Sequence, residues 1–93
     1  MAYLLTHFWP GGTEEQYRTN IAAAHPADGL PDGQTYHAAG PTDGGFLIVA
    51  VWDSKEQCDR FVNETLIPMM PLEGGMTGPP EGRSAEIVNL QSA

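Results

Sequence analysis

The chain has very few basic residues and a single cysteine, and each shortage removes a class of function. Only four of the 93 residues are Lys or Arg, against twelve Asp and Glu, which gives a formal net charge of -8 at pH 7. Binding to nucleic acid or to anionic membranes needs clustered basic side chains, so neither partner is expected. Cys58 has no second cysteine with which to form a disulfide or a thiolate metal site.

Long hydrophobic runs and close-set metal ligands are also missing. The segment MAYLLTHFWP carries no basic leader and is too short for a signal peptide or a membrane span, so a cytoplasmic protein is expected. The histidines at positions 7, 25 and 37 lack the spacing of zinc ligands, and no metal is predicted. Residues 1–93 are expected to form one domain, which by its size buries only about 60–65% of its unfolded surface. A second copy of the chain is therefore expected to add burial.

The pattern of apolar, capping and turn residues predicts two strand-to-helix segments and a final strand. In the first segment Tyr3, Leu5, His7 and Trp9 share one face of an alternating strand. Four strands are predicted, over Tyr3 to Trp9, Gln34 to Ala39, Phe46 to Trp52 and Ala85 to Leu90. The first helix is capped by Thr13 and ends at His25-Pro26, and the second is capped by Asp53 and Ser54 and ended by Pro68 and Pro71. Gly40 to Gly45 connect the second and third strands, and a loop over Leu72 to Ser84 precedes the last strand. This order predicts an α+β fold of ferredoxin-like β-α-β-β-α-β type.

The third strand is apolar on both faces. Leu47, Val49 and Val51 occupy the face away from the helices, where a lone two-layer domain would carry polar residues. This pattern predicts a homodimer in which two sheets pack against each other.

The turn, strand and helix around Trp52 read G-G-F-x-x-x-x-V-W-D-S-K-E-x-x-x-x-F from Gly44 to Phe61. Over nearly its whole length the chain resembles the dimeric α+β-barrel superfamily, in particular small proteins of the antibiotic-biosynthesis-monooxygenase type. The resemblance implies a sheet-to-sheet dimer whose subunits each hold a pocket between helices and sheet. It also implies a pocket tryptophan at Trp52. Members include cofactor-free oxygenases of polycyclic phenols, haem-degrading oxygenases and isomerases.

Two positions depart from particular branches of that superfamily. Oxygenating members often carry an Asn on the first strand, where this chain has His7. Haem-degrading members place a ligand His ten residues after the tryptophan, where this chain has Val62. No cofactor is therefore predicted.

The candidate site residues follow from this arrangement. We take strands one and three as parallel neighbours, which would place Trp9 and Trp52 at the same end of the sheet and His7 near Ala50. His7 is a candidate general base because its ordinary pKa is near neutrality. Trp52, Trp9 and Phe61 are expected to contact the ligand. We interpret His25 as a cation that offsets the dipole of the first helix.

The hairpin register leaves one choice open. Either Tyr36 or His37 faces the pocket, since a one-residue slip exchanges them. His37 is the second catalytic candidate, and Tyr36 is a candidate ligand contact.

The function expected is that of a small cofactor-independent enzyme, monooxygenase-like or cyclase/isomerase-like, acting on a hydrophobic, aromatic metabolite. A non-catalytic small-molecule binding protein and a purely structural dimer are the alternatives. The loop from Pro68 to Ser84, which carries three methionines, is expected to cover the mouth of the pocket.

Overall fold

The protein folds as one antiparallel sheet with two helices on one face. The structure, a computed structural model, describes residues 2–27, 29–70 and 72–93. Its elements are β1 (Tyr3–Pro10), α1 (Glu14–Ala24), β2 (Gln34–Thr42), β3 (Gly45–Trp52), α2 (Lys55–Phe61), a π-helical segment (Val62–Leu66) and β4 (Glu81–Glu86). The strand order is β2-β3-β1-β4. The predicted ferredoxin-like β-α-β-β-α-β fold is confirmed.

The direction of β3 corrects one expectation. β1 and β3 are antiparallel, with Tyr3 opposite Trp52 and Trp9 opposite Phe46. The β2–β3 hairpin reverses the chain after the α1 crossover has returned it to the direction of β1, so β3 must run against both flanking strands. Trp9 and Trp52 therefore lie at opposite ends of the sheet, and the expectation that they share an end is wrong.

The strand limits differ from the prediction at two places. The β2–β3 connection is a two-residue turn at Asp43 and Gly44, and Gly40 to Thr42 belong to β2. Pro41 is tolerated there because β2 is an edge strand. β4 begins and ends earlier than expected, because pairing with β1 sets its limits and its fully exposed residues carry no apolar alternation to read.

The helix ends agree with the sequence. Thr13 and Gln16 form a complete capping box at α1, and Ser54 accepts the backbone N–H of Gln57 at α2. α1 ends at His25, before Pro26. The chain leaves α2 through the π-helical segment, in which the Ile67 N–H donates to the Val62 carbonyl. Pro71, expected to help end this helix, lies outside the described residues.

Two small apolar clusters hold the helices on the sheet. Tyr3, Ala50, Trp52 and Cys58 form one, and Trp9, Phe46 and Met76 form the other. Because the two clusters lie toward opposite ends of the sheet, a space remains between them.

Candidate functional site

A partly open cavity occupies the space between the sheet and the two helices. It has a volume of about 60 Å³, which is room for a few water molecules. Its walls are mainly aromatic and aliphatic and carry a few polar groups: Leu5, His7, Trp9, Tyr17, Asn20, Ile21, Ala24, His25, Gln34, His37, Ile48, Ala50, Trp52, Phe61, Val62, Leu66 and Met69. An apolar lining with few convergent polar groups is typical of small-molecule sites.

A larger open groove adjoins this cavity. It measures about 640 Å³ and lies between the π-helical segment and the loop over residues 72–80. His7, Val62 and Leu66 line both spaces, so the cavity and the groove meet at these side chains. Val62 and Leu66 are the two ends of the π-helical segment, an irregularity that occurs frequently at functional sites.

His7 lies on β1 opposite Ile48, not opposite Ala50 as the parallel arrangement implied. Its ring meets Trp9 edge-on, with centroids 6.3 Å apart. Burial lowers the pKa of His7 below its ordinary value, so the imidazole is neutral at pH 7. The His7 ring has no hydrogen bond to another described residue. A neutral ring at the junction of cavity and groove can take a proton from a bound molecule.

The register of β2 turns His37 toward the cavity. A bulge between Gln34 and Tyr36 places Thr35 out of the pairing pattern, so that both Gln34 and His37 line the cavity. Tyr36 is 53% exposed and does not line it. The expectation that Tyr36 contacts a ligand is therefore wrong for a site inside this chain, since the bulge reverses the alternation of the strand.

His37 is hydrogen-bonded on both ring nitrogens. Its Nε2 lies 2.7 Å from the Tyr17 hydroxyl, and its Nδ1 lies 2.9 Å from the Gln34 Oε1. Burial lowers the pKa of His37. Neither Tyr17 nor Gln34 was singled out from the sequence as a site residue. In the sequence Tyr17 is marked only by its helical spacing with Asn20, Ile21 and Ala24, which places the four on one stripe of α1.

His25 belongs to the same end of the cavity. Its ring is nearly perpendicular to that of His37, with centroids 4.8 Å apart. Burial, followed by the neighbouring charge of His37, lowers the pKa of His25 to about 4. The sequence-based interpretation of His25 as a cation at the helix end is wrong, because at pH 7 the ring is neutral.

Both tryptophans are almost fully buried and line the cavity. Each is 1% exposed, and neither indole N–H has a hydrogen-bond partner among the residues that the structure describes. Phe61 packs beside Trp52, with ring centroids 5.3 Å apart. A buried donor without an acceptor costs about 1–3 kcal/mol, and an acceptor on a bound molecule would remove that cost.

The loop over residues 72–80 is fastened to α1. The Met76 N–H donates to the buried Oδ1 of Asn20 at 3.0 Å, and the Met76 side chain packs on Trp9 and Phe46. Leu72, Met76, Pro79 and Pro80 line the groove. This part of the chain borders the site, while its movement over the mouth of the pocket stays a prediction.

The described parts of the chain contain no metal-binding cluster, no ionised thiol and no membrane-spanning helix. Within residues 2–27, 29–70 and 72–93, no group of three or more His, Cys, Asp or Glu side chains is placed to hold a metal ion. Burial raises the pKa of the Cys58 thiol to about 11, so the sulfur is not a thiolate at pH 7. The described residues include no helix long and apolar enough to cross a membrane.

Comparison with known proteins finds solved structures of similar fold. No protein-family profile and no curated protein sequence matches the chain significantly. A protein from Chloroflexus aurantiacus J-10-fl, provisionally assigned as an antibiotic biosynthesis monooxygenase, superposes with a TM-score of 0.67 at 11% identity, covering 99% of this chain and 98% of that one. Rv0793 from Mycobacterium tuberculosis superposes with a TM-score of 0.66 at 15% identity, covering 98% of each chain. At these identities the likeness shows the fold alone, which is the ferredoxin-like α+β fold.

Proposed function

We propose that the protein is a small cofactor-independent enzyme, monooxygenase-like or cyclase/isomerase-like, that acts on a hydrophobic aromatic molecule. The observation that carries the proposal is the neutral, half-buried His7 at the junction of the cavity and the apolar groove. The groove takes the aromatic body of the ligand, and the cavity takes its polar edge. The fold shared with a provisionally assigned monooxygenase supports this choice of chemistry.

His7 acts as the general base. Its ring nitrogen removes a proton from a phenolic hydroxyl or from an acidic C–H next to a carbonyl, leaving an imidazolium and a delocalised anion. The anion then rearranges, cyclises or reacts with dioxygen. Because the surrounding wall is apolar, the charge pair is poorly screened and strongly coupled. The base therefore holds the anion close.

Three aromatic side chains bind and orient the ligand. Trp52 and Phe61 form one wall, and Trp9 lies toward the other end of the sheet. The unpartnered indole N–H groups of Trp9 and Trp52 are available to an oxygen that becomes negative during the reaction. His37 is the second group for proton transfer, through the contacts described above.

Oxygen uptake and tryptophan fluorescence test the proposal together. Dithranol, a tricyclic phenol with an acidic C–H, is the probe in buffer containing a chelator. Both tryptophans of the chain line the cavity, so binding quenches the emission. We expect turnover by the unaltered protein and a loss of about 10²- to 10⁴-fold in kcat in His7→Phe, with KM changed only a few-fold. Thr42→Ser, at an exposed position of β2, is the control.

Each other result contradicts a stated part of the proposal. Quenching without turnover in both proteins identifies a non-catalytic binding protein. Neither quenching nor turnover with dithranol contradicts the aromatic-ligand proposal and leaves a structural dimer. Equal turnover in His7→Phe and the unaltered protein removes His7 from the mechanism.

We further propose that the protein works as a homodimer joined through the outer face of the sheet, which we define by Leu4, Phe8, Tyr36, Leu47, Val49 and Val51. No element covers this face within the described chain, and Tyr36 and Leu47 are exposed there. We also place the protein in the cytoplasm, where a lone buried thiol such as Cys58 persists in the reduced state.

Beyond β4 the chain carries further uncovered apolar residues. The Ile87 N–H donates to the Ala2 carbonyl, so the pairing continues past the last strand, and Val88 is 95% exposed. Exposed apolar side chains of this kind support association with a second copy of the chain.

A further inference from the structure

A chain of three hydrogen-bonded side chains closes the cavity at the β2 end. It runs from Tyr17 on α1 to His37 and then to Gln34 on β2, with distances of 2.7 and 2.9 Å. Gln34 is buried and Tyr17 and His37 are half-buried. The proposed function uses His7 at the other end, two strand positions away across the sheet, a distance of roughly 10 Å.

The chain of hydrogen bonds has a fixed polarity. The Gln34 Oε1 is only an acceptor, so the Nδ1 of His37 must carry a proton. In a neutral imidazole the Nε2 then bears a lone pair, and the Tyr17 hydroxyl must donate to it. The Tyr17 oxygen then has only lone pairs to offer to a bound molecule. It can therefore accept a hydrogen bond from an O–H or N–H group of a ligand.

Packing holds the tyrosine and the histidine in this geometry. The Tyr17 ring stacks on Phe46, with centroids 4.9 Å apart, and the His25 ring stands edge-on to His37. The bulge at Thr35 puts Gln34 and His37 on the same face of β2. Among the described side chains that line this end of the cavity, Tyr17, His25 and His37 are the titratable groups, and none is a carboxylate or a lysine.

We propose that Tyr17 is a catalytic residue that accepts a proton from a hydroxyl-bearing ligand while passing its own proton to His37, with Gln34 as the positioning residue. This deepens the proposed function and rests on it. The ligand O–H bond breaks and a new O–H bond forms on Tyr17. The original Tyr17 O–H bond breaks and an N–H bond forms on the His37 Nε2. The products are a ligand oxyanion and an imidazolium, so charge and protons balance.

Without a ligand, both Tyr17 and His37 are neutral. Burial raises the pKa of Tyr17 and lowers that of His37, and both effects oppose transfer between them in the empty cavity. An oxyanion bound beside the new imidazolium reverses this balance, because opposite charges attract strongly where water is excluded. The relay therefore moves protons only when a ligand with a hydroxyl group enters this end of the cavity.

Nitrogen NMR of the histidine rings tests the polarity without any ligand. We expect His37 as the tautomer with the proton on Nδ1. Tyr17→Phe keeps the ring that stacks on Phe46 but removes the donor to Nε2, so the pKa of His37 should rise by about half to one unit. Tyr36→Phe is an identical change on the same strand as His37, but it lies on the outer face of the sheet and does not line the cavity. It should leave the pKa of His37 unchanged. A proton on Nε2 in the unaltered protein, or equal pKa values of His37 in the two variants, overturns the proposal.

A small phenol tests proton transfer to the ligand. The probe is 4-nitrophenol, whose absorbance separates the phenol from the phenolate, used below its solution pKa. We expect an increased phenolate fraction when it is bound to the unaltered protein and to Tyr36→Phe. In Tyr17→Phe we expect that fraction to fall by about tenfold, with Kd changed only about two- to threefold.

The NMR and nitrophenol experiments together distinguish failure of the proposed Tyr17–His37 proton relay from failure of the proposed function. Equal phenolate fractions in Tyr17→Phe and Tyr36→Phe overturn the relay even when the probe binds. Absence of binding to the unaltered protein contradicts the proposed aromatic site, and the NMR result then decides the relay alone. Circular dichroism of Tyr17→Phe establishes that the variant is folded.

Discussion

Three histidine side chains are gathered around one cavity, and at neutral pH all three are uncharged. Burial lowers the pKa of all three rings, and at His25 burial together with the neighbouring charge of His37 lowers the pKa to about 4. The cavity therefore has no charged histidine at pH 7 despite its polar groups, which suits the apolar ligand proposed. The same burial makes the fold sensitive to acid, since the rings must take up protons that the cavity disfavours.

The pH dependence of stability is expected to reveal His25. In the unfolded chain this ring binds a proton near pH 6.5, whereas in the folded chain it does so only near pH 4. The unfolded state therefore binds more protons in this window, and the free energy of unfolding should fall from about pH 6.5 to about pH 4. The slope of the free energy of unfolding against pH is proportional to the number of protons taken up on unfolding. His25→Gln should reduce that number by at most about one, and by less where solvent screens the half-exposed ring. Urea unfolding at a series of pH values measures it.

His7 and His37 act in the same direction and persist in the His25→Gln variant, so part of the slope remains. Asn89→Gln, in the exposed segment after β4, serves as the unaffected control. Equal slopes in His25→Gln and in the unaltered protein would contradict the neutral, buried state of this ring.

At the level of elements, the β2–β3 hairpin and the end of β1 are fitted together at two adjacent glycines. Gly44 has a φ of 83°, which an L-residue with a side chain rarely adopts, while a Cβ there would meet only the Phe8 ring, at an ordinary contact distance of 3.8 Å. Gly45 has ordinary backbone angles, but a Cβ there would collide with the carbonyl oxygen of Trp9. The Gly11 N–H donates to the Gly44 carbonyl at 2.8 Å, so the turn also holds the loop that leads to α1.

Alanine at these two glycines should therefore have unequal effects. Gly44→Ala should lower the free energy of unfolding by about 1–2 kcal/mol, the cost of a left-handed residue with a Cβ. Gly45→Ala should cost about 3 kcal/mol or more, because the obstacle is backbone and cannot rotate away. Thermal or urea unfolding of the two variants measures the difference. A smaller loss at Gly45 than at Gly44 would show that β1 and β3 are not packed as closely as described.

At the scale of the whole molecule, one face of the sheet carries both helices and the other carries nothing within the described chain. Leu47 is 39% exposed on the bare face, although β3 lies inside the sheet with β2 and β1 on either side. Exposed apolar side chains collected on one sheet face mark an interaction surface. A second copy of the chain covers it under the proposal above.

Sedimentation velocity with two matched leucine variants tests the dimer. Leu47 and Leu30 are almost equally exposed, at 39% and 38%, but only Leu47 lies on the outer face. Leu47→Asp should weaken association by about 2–4 kcal/mol, roughly 30- to 1000-fold in Kd, because it buries a carboxylate in an apolar interface. Leu30→Asp should leave association unchanged. A stable monomer of the unaltered protein at micromolar concentration, or equal effects of the two substitutions, contradicts the sheet-to-sheet dimer.

The sequence by itself determined the elements and the faces that they bury. The caps at Thr13 and Ser54, the end of α1 at His25 and the inward face of β1 follow from chemistry within a few residues, and the structure agrees with each. The element order then limits the topology to the ferredoxin-like arrangement. His7, Trp9, Trp52 and Phe61 could be assigned to the lining of the space between sheet and helices, because each belongs to an inward-facing stripe.

Tertiary structure alone decided what depends on pairing between distant segments. The antiparallel direction of β3 separated Trp9 from Trp52, and the bulge at Thr35 turned His37 inward and Tyr36 outward. The hydrogen bond from Tyr17 to His37, and the neutral state of His25 beside that ring, arise only when α1 packs over β2. Register and burial are settled by contacts between segments far apart in the chain, and no local pattern of residues encodes them.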